Sequence, residues 1–392
     1  MNKIHLVVFV HGMMGSRAHS VYVSERLVRK YPNIQTYISS ANEGWLMNDG
    51  VDACGLRLAQ EIYDHIVYLH TSKSMTVTHF SIFGHSMGGI VARFAIGILD
   101  RQGVFTNIQL MNYISIVSPH LSIYIPYQEW YGRAINEIVK LGGCPITDQL
   151  SFCDSFREGS PLWEILADPA HEFYTALKKF KHKRNYVNTT GDFSVPYFAA
   201  AMDGSDYFDD PLNMNISCHS KYPSIITRFD IKETKECRRV NLFEKIAHVV
   251  FVGVRVPLVF MPSRSTSWRR HDQVLSSYQD EKEGYYSIHI DRKHNFLFEK
   301  HQNMNKEETM TKRLDLSKSF PEVGPNVKNR ASYPVHCHSA QRRIIEMLKK
   351  IDWEQTLVHI NSSKAHTMII GIEDGVQEGK DVVEHFTDTF DY

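Results

Sequence analysis

An apolar, strand-forming run from Val77 to Phe83 leads directly into Gly84-His85-Ser86-Met87-Gly88, and a helical stripe of Ile90, Val91, Phe94, Ala95, Ile98 and Leu99 begins at once. Few backbone arrangements join a strand to a helix through so short a link. The serine between them must take a tight, strained turn, and the flanking glycines remove side chains that would strike the neighbouring strand and helix. The five-residue pattern recurs by chance. Its strand–turn–helix setting is what separates a nucleophile elbow from a serine in an ordinary glycine turn.

The same alternation extends to both sides. Ile4 to Val10 is almost continuously apolar and β-branched, as a strand buried on both faces requires. Met1 to Val10 has one lysine and a short apolar run but is followed by no small-residue cleavage site, so it is read as a strand and not as a secretory signal. Ser20 to Lys30 reads as a helix, Ile34 to Ser39 as a strand, Ala53 to Leu69 as a helix striped with Leu56, Ala59, Ile62 and Ile66, and Tyr113 to Val117 as a strand. Helices at Pro161 to Ala167 and Glu172 to Phe180 precede a strand-like Asn185 to Thr189. Near the end, Ser339 to Lys350 and Asp381 to Phe390 read as helices, Thr356 to Ile360 as a strand and Thr367 to Ile372 as an apolar run. Strands alternating with helices predict an α/β fold with a mostly parallel central sheet and helices on both faces.

Polar stretches from about Asp203 to Arg239 and from about Glu299 to Ser332 interrupt this order and read as mobile excursions. The expected organisation is a first core segment over 1–202, an insertion over 203–335, and a final core segment over 336–392.

Composition narrows the function classes. With 43% hydrophobic and 22% charged residues the chain can bury a sizeable core, and 44 basic residues balance 44 acidic ones, leaving no global field for nucleic acid. The six cysteines are scattered without zinc-ligand spacing, which points to free thiols in a reducing, cytoplasmic setting. None of the 21 histidines falls in a metal-ligand motif, so neither metal nor cofactor is expected.

The elbow implies the α/β-hydrolase fold, with Ser86 as nucleophile. The first strand ends in His11-Gly12-Met13-Met14-Gly15-Ser16, an HG-type loop, so the oxyanion donors are expected at the N–H groups of Met13 and Met87; a plain turn is the alternative. In this fold an acid and then a histidine follow the serine along the chain. Asp192, just after the strand-like run and before Val195-Pro196, is the candidate acid, against a solvated turn aspartate or the rivals Asp154, Asp203 and Asp206. His366, in the loop after the last strand, is the candidate base. His359 falls within that strand, His336 and His338 precede a helix, and His385 sits on the closing helix.

These residues resemble a lipase-like family of serine esterases long filed as a domain of unknown function, whose members include a fungal lipid-droplet phospholipase. The resemblance runs from Ile4 to about Met202 through His-Gly-Met-Met-Gly-Ser, Ser40-Ala41-Asn42-Glu43-Gly44, Asp49-Gly50, the Gly-His-Ser-Met-Gly-Gly elbow, Ser118-Pro119-His120-Leu121 and Asp192-x-x-Val195-Pro196-Tyr197. It resumes at Ala365-His366 and Glu378-Gly379-Lys380-Asp381-Val382-Val383, whereas Asp203 to Ser332 matches poorly. It implies that Asp192 and His366 occupy the acid and base positions, that phospholipids or acylglycerols are the favoured esters, and that His19, the Asn42 loop and His120 lie near the pocket.

Leu242 to Met261 is rich in valine and phenylalanine yet contains Glu244, Lys245, Arg255 and Pro257, so a membrane span is disfavoured. Arg238 and Arg239 before it, and Arg264, Trp268, Arg269 and Arg270 after it, suit a lid or interfacial anchor; a buried cap element is the alternative. The expectation is a serine hydrolase of lipid acyl esters, peripheral on a membrane or lipid droplet and not secreted. Acyl transfer through the same acyl-enzyme and a catalytically silent membrane scaffold are the competing readings.

Overall fold

The computed structural model describes residues 2–125, 130–204, 208, 214–231, 242–260, 264–280, 285–288, 338–372 and 377–392. The chain opens with β1 (Asn2–Val10), α1 (Ala18–Lys30), β2 (Ile34–Ile38), a 3-10 turn (Gly44–Asp49), α2 (Val51–Lys73), β3 (Met75–His85), α3 (Met87–Arg101) and β4 (Gln109–Ile116). Helices α4 (Trp130–Lys140), α5 (Pro145–Leu150), α6 (Leu162–Ala167) and α7 (Glu172–Lys179) precede β5 (His182–Asn188) and α8 (Tyr197–Ala201). Then come β6 (Met214–Cys218), β7 (Ile226–Ile231), α9 (Leu242–Val259), α10 (Arg264–Tyr278), β8 (Gln279–Asp280) and β9 (Tyr285–Tyr286). The last described elements are α11 (Ser339–Leu348), β10 (Trp353–Val358), α12 (Ala365–Met368) and α13 (Lys380–Thr389).

Six strands form one sheet in the order β10-β5-β4-β3-β1-β2, with every neighbouring pair parallel. This is the α/β-hydrolase arrangement. The chain steps from β1 to β2 on one side and returns to β3 on the other, so the loops after β1 and β3 diverge and leave a crevice at their carboxyl ends. The elbow and the HG loop both open into it.

The apolar run of β1 serves two cores. Ile4, Leu6, Val8 and Val10 join Leu56, Ile90 and Phe94 of α2 and α3 on one face, while Val7 and Phe9 meet Val23, Leu27 and Phe386 of α1 and α13 on the other. Each such side chain, fully buried, stabilises by about 1.5–3 kcal/mol, which is why the strand shows no polar alternation.

One stretch departs from the expectations. Within Asp203 to Arg239, expected as an excursion, β6 and β7 pair as an antiparallel hairpin, and Ile225 bridges to Val358 beside the sheet edge. Glu299 to Ser332 lies outside the described residues. Cys54, Cys144, Cys153 and Cys218 are unpaired thiols; Cys237 and Cys337 lie outside the described residues.

Buried histidines give the fold a pH signature. Burial first, and then the neighbouring His79, push His5 from 6.5 down to about 4. Burial, then His219 and Arg184, do the same to His385, which also falls to about 4. A depressed histidine contributes stability that is complete above the unfolded-state pKa and is lost as pH falls through the folded one. The urea midpoint is therefore expected to drop as pH falls from 6.5 toward 4. The drop should be shallower in a His5→Asn chain; equal slopes in the two chains contradict the assignment.

Candidate active site

β3 ends at His85 and α3 begins at Met87, so Ser86 alone makes the turn, with φ 55° and ψ −131°. A non-glycine residue held there costs about 1–3 kcal/mol, tolerated where the surroundings over-determine the backbone. They do so here. A Cβ on Gly84 would lie 2.4 Å from the Gly89 Cα, and one on Gly88 would lie 2.4 Å from the Val10 carbonyl oxygen. Strand, turn and helix are in contact at a distance only glycine permits.

Ser86 Oγ lies 2.9 Å from His366 Nε2, and His366 Nδ1 lies 2.8 Å from Asp192 Oδ2. A carboxylate oxygen only accepts, so Nδ1 carries the proton and Nε2 offers its lone pair to the serine hydroxyl. The Asp192 side chain is 3% exposed and that of His366 is 17% exposed, which keeps the pair largely out of water. Local sequence fixes the acid. Asp192 Oδ1 accepts from the Ser194 N–H at 2.8 Å and the Val195 N–H at 3.0 Å, leaving Oδ2 for the imidazole. Gly191, at φ 74°, packs so closely that a Cβ would lie 2.7 Å from the Ser362 backbone. The acid loop thus rests on the loop that leads to His366. The histidine sits in the first turn of α12 and not in an open loop, a helix of four residues too short to leave a periodic signal.

Met87 is the first residue of α3, a position whose N–H has no intrahelical acceptor. Met13 lies in a turn closed by the Gly15 N–H donating to the Gly12 carbonyl at 3.0 Å. That turn abuts the nucleophile: a Cβ on Gly12 would lie 2.6 Å from the Ser86 Cβ. The buried His11 donates from Nδ1 to the Gly12 carbonyl at 3.0 Å and stiffens the loop.

The hydroxyl of Ser86 faces a cavity of about 610 Å³ whose walls are mostly apolar. Ile123, Ile125, Ile135, Val139 and Leu150 form one side, while Val252, Val256, Val259 and Phe260 from α9 and its end roof it. Met14, Trp45 and Leu258 line the cavity yet stay 37%, 40% and 63% exposed, so they mark its mouth. The opposite side of α9 is apolar too: Ile246, Val250 and Val254, each one turn from the next, are 43% to 57% exposed, and the row runs on to Leu258 at the mouth. No helix among the described residues is long and apolar enough to cross a membrane.

The roof is tied to the core by polar contacts. The Asn48 side chain donates to the Val259 carbonyl at 2.7 Å. Arg270 of α10 donates from Nε to both oxygens of the buried Asp49 at 3.0 Å, Arg57 binds the same carboxylate, and His271 pairs with Asp52 at 3.0 Å. Arg270, expected among the cationic flanks of a lipid-binding segment, therefore neutralises an internal carboxylate instead. Arg238, Arg239 and Met261 lie outside the described residues.

Residues 1–204 match the family described as "Putative serine esterase (DUF676)", more than half of the 392-residue chain. The chain belongs to that family. The DUF676 segment carries Met13, Ser86, Met87 and Asp192, whereas α9 and His366 lie beyond its end. The curated "Putative lipase C4A8.10" of Schizosaccharomyces pombe is 25% identical over 210 residues, covering 51% of this chain and 26% of that protein. "Putative lipase ROG1" of Saccharomyces cerevisiae is 28% identical over 220 residues, covering 53% and 30%. The chain thus spans less than a third of the curated relatives it matches. Among solved structures, phospholipase PlaB from Legionella pneumophila aligns at 12% identity and a TM-score of 0.34, covering 73% of this chain and 68% of that one, a likeness from which nothing is inferred about the chemistry here.

The other polar residues of the DUF676 segment sort by position. His19 lines the cavity, with burial and then His11 lowering its pKa. His120 does not line it. Its Nε2 donates to Ser115 Oγ at 3.0 Å and its Nδ1 accepts from Arg93 at 3.4 Å, a fully buried network that burial keeps uncharged at the imidazole. The Asn42 side chain donates to the Cys54 carbonyl at 2.9 Å and braces α2. Asp154 receives the Leu162 N–H at 2.8 Å at the start of α6, the Asp203 N–H bonds to the Phe198 carbonyl at the end of α8, and Asp206 lies outside the described residues.

The rival histidines are occupied elsewhere. His359 contacts Thr189 and Thr190, His385 contacts Tyr186, His338 caps α11, and His336 is outside the described residues. Among the described residues no group of three or more His, Cys, Asp or Glu side chains is arranged to hold a metal ion. The cavity wall from α4 and α5 leaves one mark in the sequence, Ile135, Ile138 and Val139 on a single helical stripe.

Proposed function

We propose that this chain is a carboxylic-ester hydrolase that cleaves lipid acyl esters, phospholipid or acylglycerol, through Ser86, His366 and Asp192. The observation that carries this reading is the unbroken line from Ser86 Oγ through His366 to Asp192, at 2.9 and 2.8 Å, facing an apolar cavity of about 610 Å³. Cavities of this size and lining suit a hydrocarbon chain held next to a few oriented polar groups.

In this mechanism His366 Nε2 takes the hydroxyl proton as Ser86 Oγ attacks the ester carbonyl, and Asp192 stabilises the resulting imidazolium. The N–H groups of Met13 and Met87 receive the oxyanion, at the N-terminal end of α3 where the helix dipole favours negative charge. His366 then returns the proton to the departing alcohol. Water, deprotonated by the same imidazole, hydrolyses the acyl-enzyme. Release of free fatty acid from phospholipid or acylglycerol dispersions, lost on Ser86→Ala, is the direct test; a chain that binds lipid without releasing acid favours the silent scaffold.

The apolar mouth and the outer stripe of α9 form the surface by which the protein would meet a membrane or lipid droplet. A Val250→Asp, Val254→Asp double variant is expected to bind phospholipid vesicles at least about tenfold more weakly, because burying each valine is worth about 1.5–3 kcal/mol when complete. Its hydrolysis of a soluble short-chain ester should stay near wild type. Unchanged vesicle binding would remove this surface from the account.

A further inference from the structure

One imidazole beside the nucleophile has no place in the proton path just described. His85, the last residue of β3, is 4% exposed, and its Nε2 lies 2.7 Å from the backbone carbonyl oxygen of His366. A carbonyl only accepts, so Nε2 carries the proton. Nδ1 is then a bare lone pair, and it is buried without a partner among the described residues. Burial first, and then the charge of His366, hold the pKa of His85 well below 6.5. The two rings are 5.0 Å apart.

The carbonyl that His85 engages is passed over by the local backbone. Around it the Ile369 N–H bonds to Ala365, the Ile370 N–H to Thr367 and the Gly371 N–H to Met368. These bonds skip His366, leaving its carbonyl as one of the orphans of a short helix end. Asp192 fixes how the imidazole is turned but not where the backbone beneath it stands. The bond from His85 does that, and it comes from the residue adjacent to Ser86.

We propose that His85 is a positioning residue, a neutral Nε2–H donor that fastens the main chain of the base to the nucleophile elbow. The inference rests on the reading of Ser86 and His366 given above. A displacement of about 1 Å between reacting groups costs on the order of a hundredfold in rate, so the single bond is worth measuring.

The test uses the full chain with His85→Leu, which keeps the bulk and loses the donor, and His85→Gln, whose side-chain amide restores a donor at a similar reach. With a soluble short-chain ester, His85→Leu is expected to lower kcat by about 10- to 100-fold, with a much smaller change in KM although His85 lines the cavity, and His85→Gln to stay within a few-fold of wild type. A leucine variant with wild-type kcat, or a glutamine variant as impaired as the leucine one, would overturn the proposal. Should the leucine chain fail to fold, His85→Asn, too short to reach the carbonyl, replaces it with the same expected loss. If the wild-type chain hydrolyses no ester, the catalytic reading fails, and the downfield N–H resonance of the His366–Asp192 bond decides this proposal separately. That resonance should be sharp in wild type and His85→Gln and broadened in His85→Leu; an unaltered resonance in His85→Leu refutes the positioning role.

Discussion

Ser86→Ala is expected to lower kcat for ester hydrolysis by about a millionfold, the scale seen when an activated serine is removed. The substitution deletes the atom that would bond to the acyl carbon, so no acyl-enzyme forms and two easy steps revert to one difficult one. A residual rate of about a thousand- to ten-thousandfold over water should persist, because the oxyanion donors and the cavity remain. Stability should hardly change. Alanine meets the same φ of 55° as the serine it replaces, and the Ser86 backbone bond to Ile116 at 2.9 Å is kept. Steady-state kinetics together with thermal unfolding of the same preparation separate the two effects. A variant retaining a tenth of wild-type activity would mean that another group attacks the ester.

Asp192→Asn should cost about ten-thousandfold in kcat while leaving the loop in place. The backbone N–H groups of Ser194 and Val195, at 2.8 and 3.0 Å from Oδ1, can still donate to an amide oxygen. The amide NH2 then turns toward His366 Nδ1. Two donors cannot face each other, so Nδ1 gives up its proton, Nε2 takes one, and the lone pair that should receive the Ser86 hydroxyl proton is lost. The loss falls on kcat, with KM little affected, since Asp192 is not among the residues lining the cavity. A fall smaller than about tenfold would show that His366 needs no orienting carboxylate.

Much of this arrangement was legible in the chain itself, for reasons that differ by element. The buried halves of β1 and β3 face cores on both sides, so Leu6 to Val10 is unbroken apolar sequence and Phe80 to Phe83 is broken only by the buried Ser81, and the elbow glycines stand where the structure leaves no room for a Cβ. The placement of Asp192 and His366 follows the order of the fold and its sheet, and a family resemblance extends to both. α10 was not legible. Its apolar residues Val274, Leu275 and Tyr278 gather near its end and leave the first turns polar, and Arg270 and His271 secure it through Asp49 and Asp52, partners more than two hundred residues earlier in the chain. Those partners also explain why Arg270 read as a surface cation.

The insertion divides in the same way. Valine enrichment over Leu242 to Met261 signalled an apolar element but not its period, because α9 presents valine both to the cavity and outward, erasing the contrast that marks an amphipathic helix. The hairpin β6–β7 was hidden by its length of five and six residues and by the register shift between Ser217 and Cys218. His85 lay in plain view inside the elbow motif. Its bond to the His366 carbonyl depends on where a four-residue helix ends, which periodicity does not resolve.

The central claim is that Ser86 is an activated nucleophile, and covalent labelling by a fluorophosphonate tests it most directly. The purified chain should gain a single adduct, mapped by peptide mass spectrometry to Ser86, with labelling abolished by Ser86→Ala and strongly slowed by His366→Ala. A chain that takes no label in detergent or in the presence of lipid, or one whose label persists after Ser86→Ala, would contradict it.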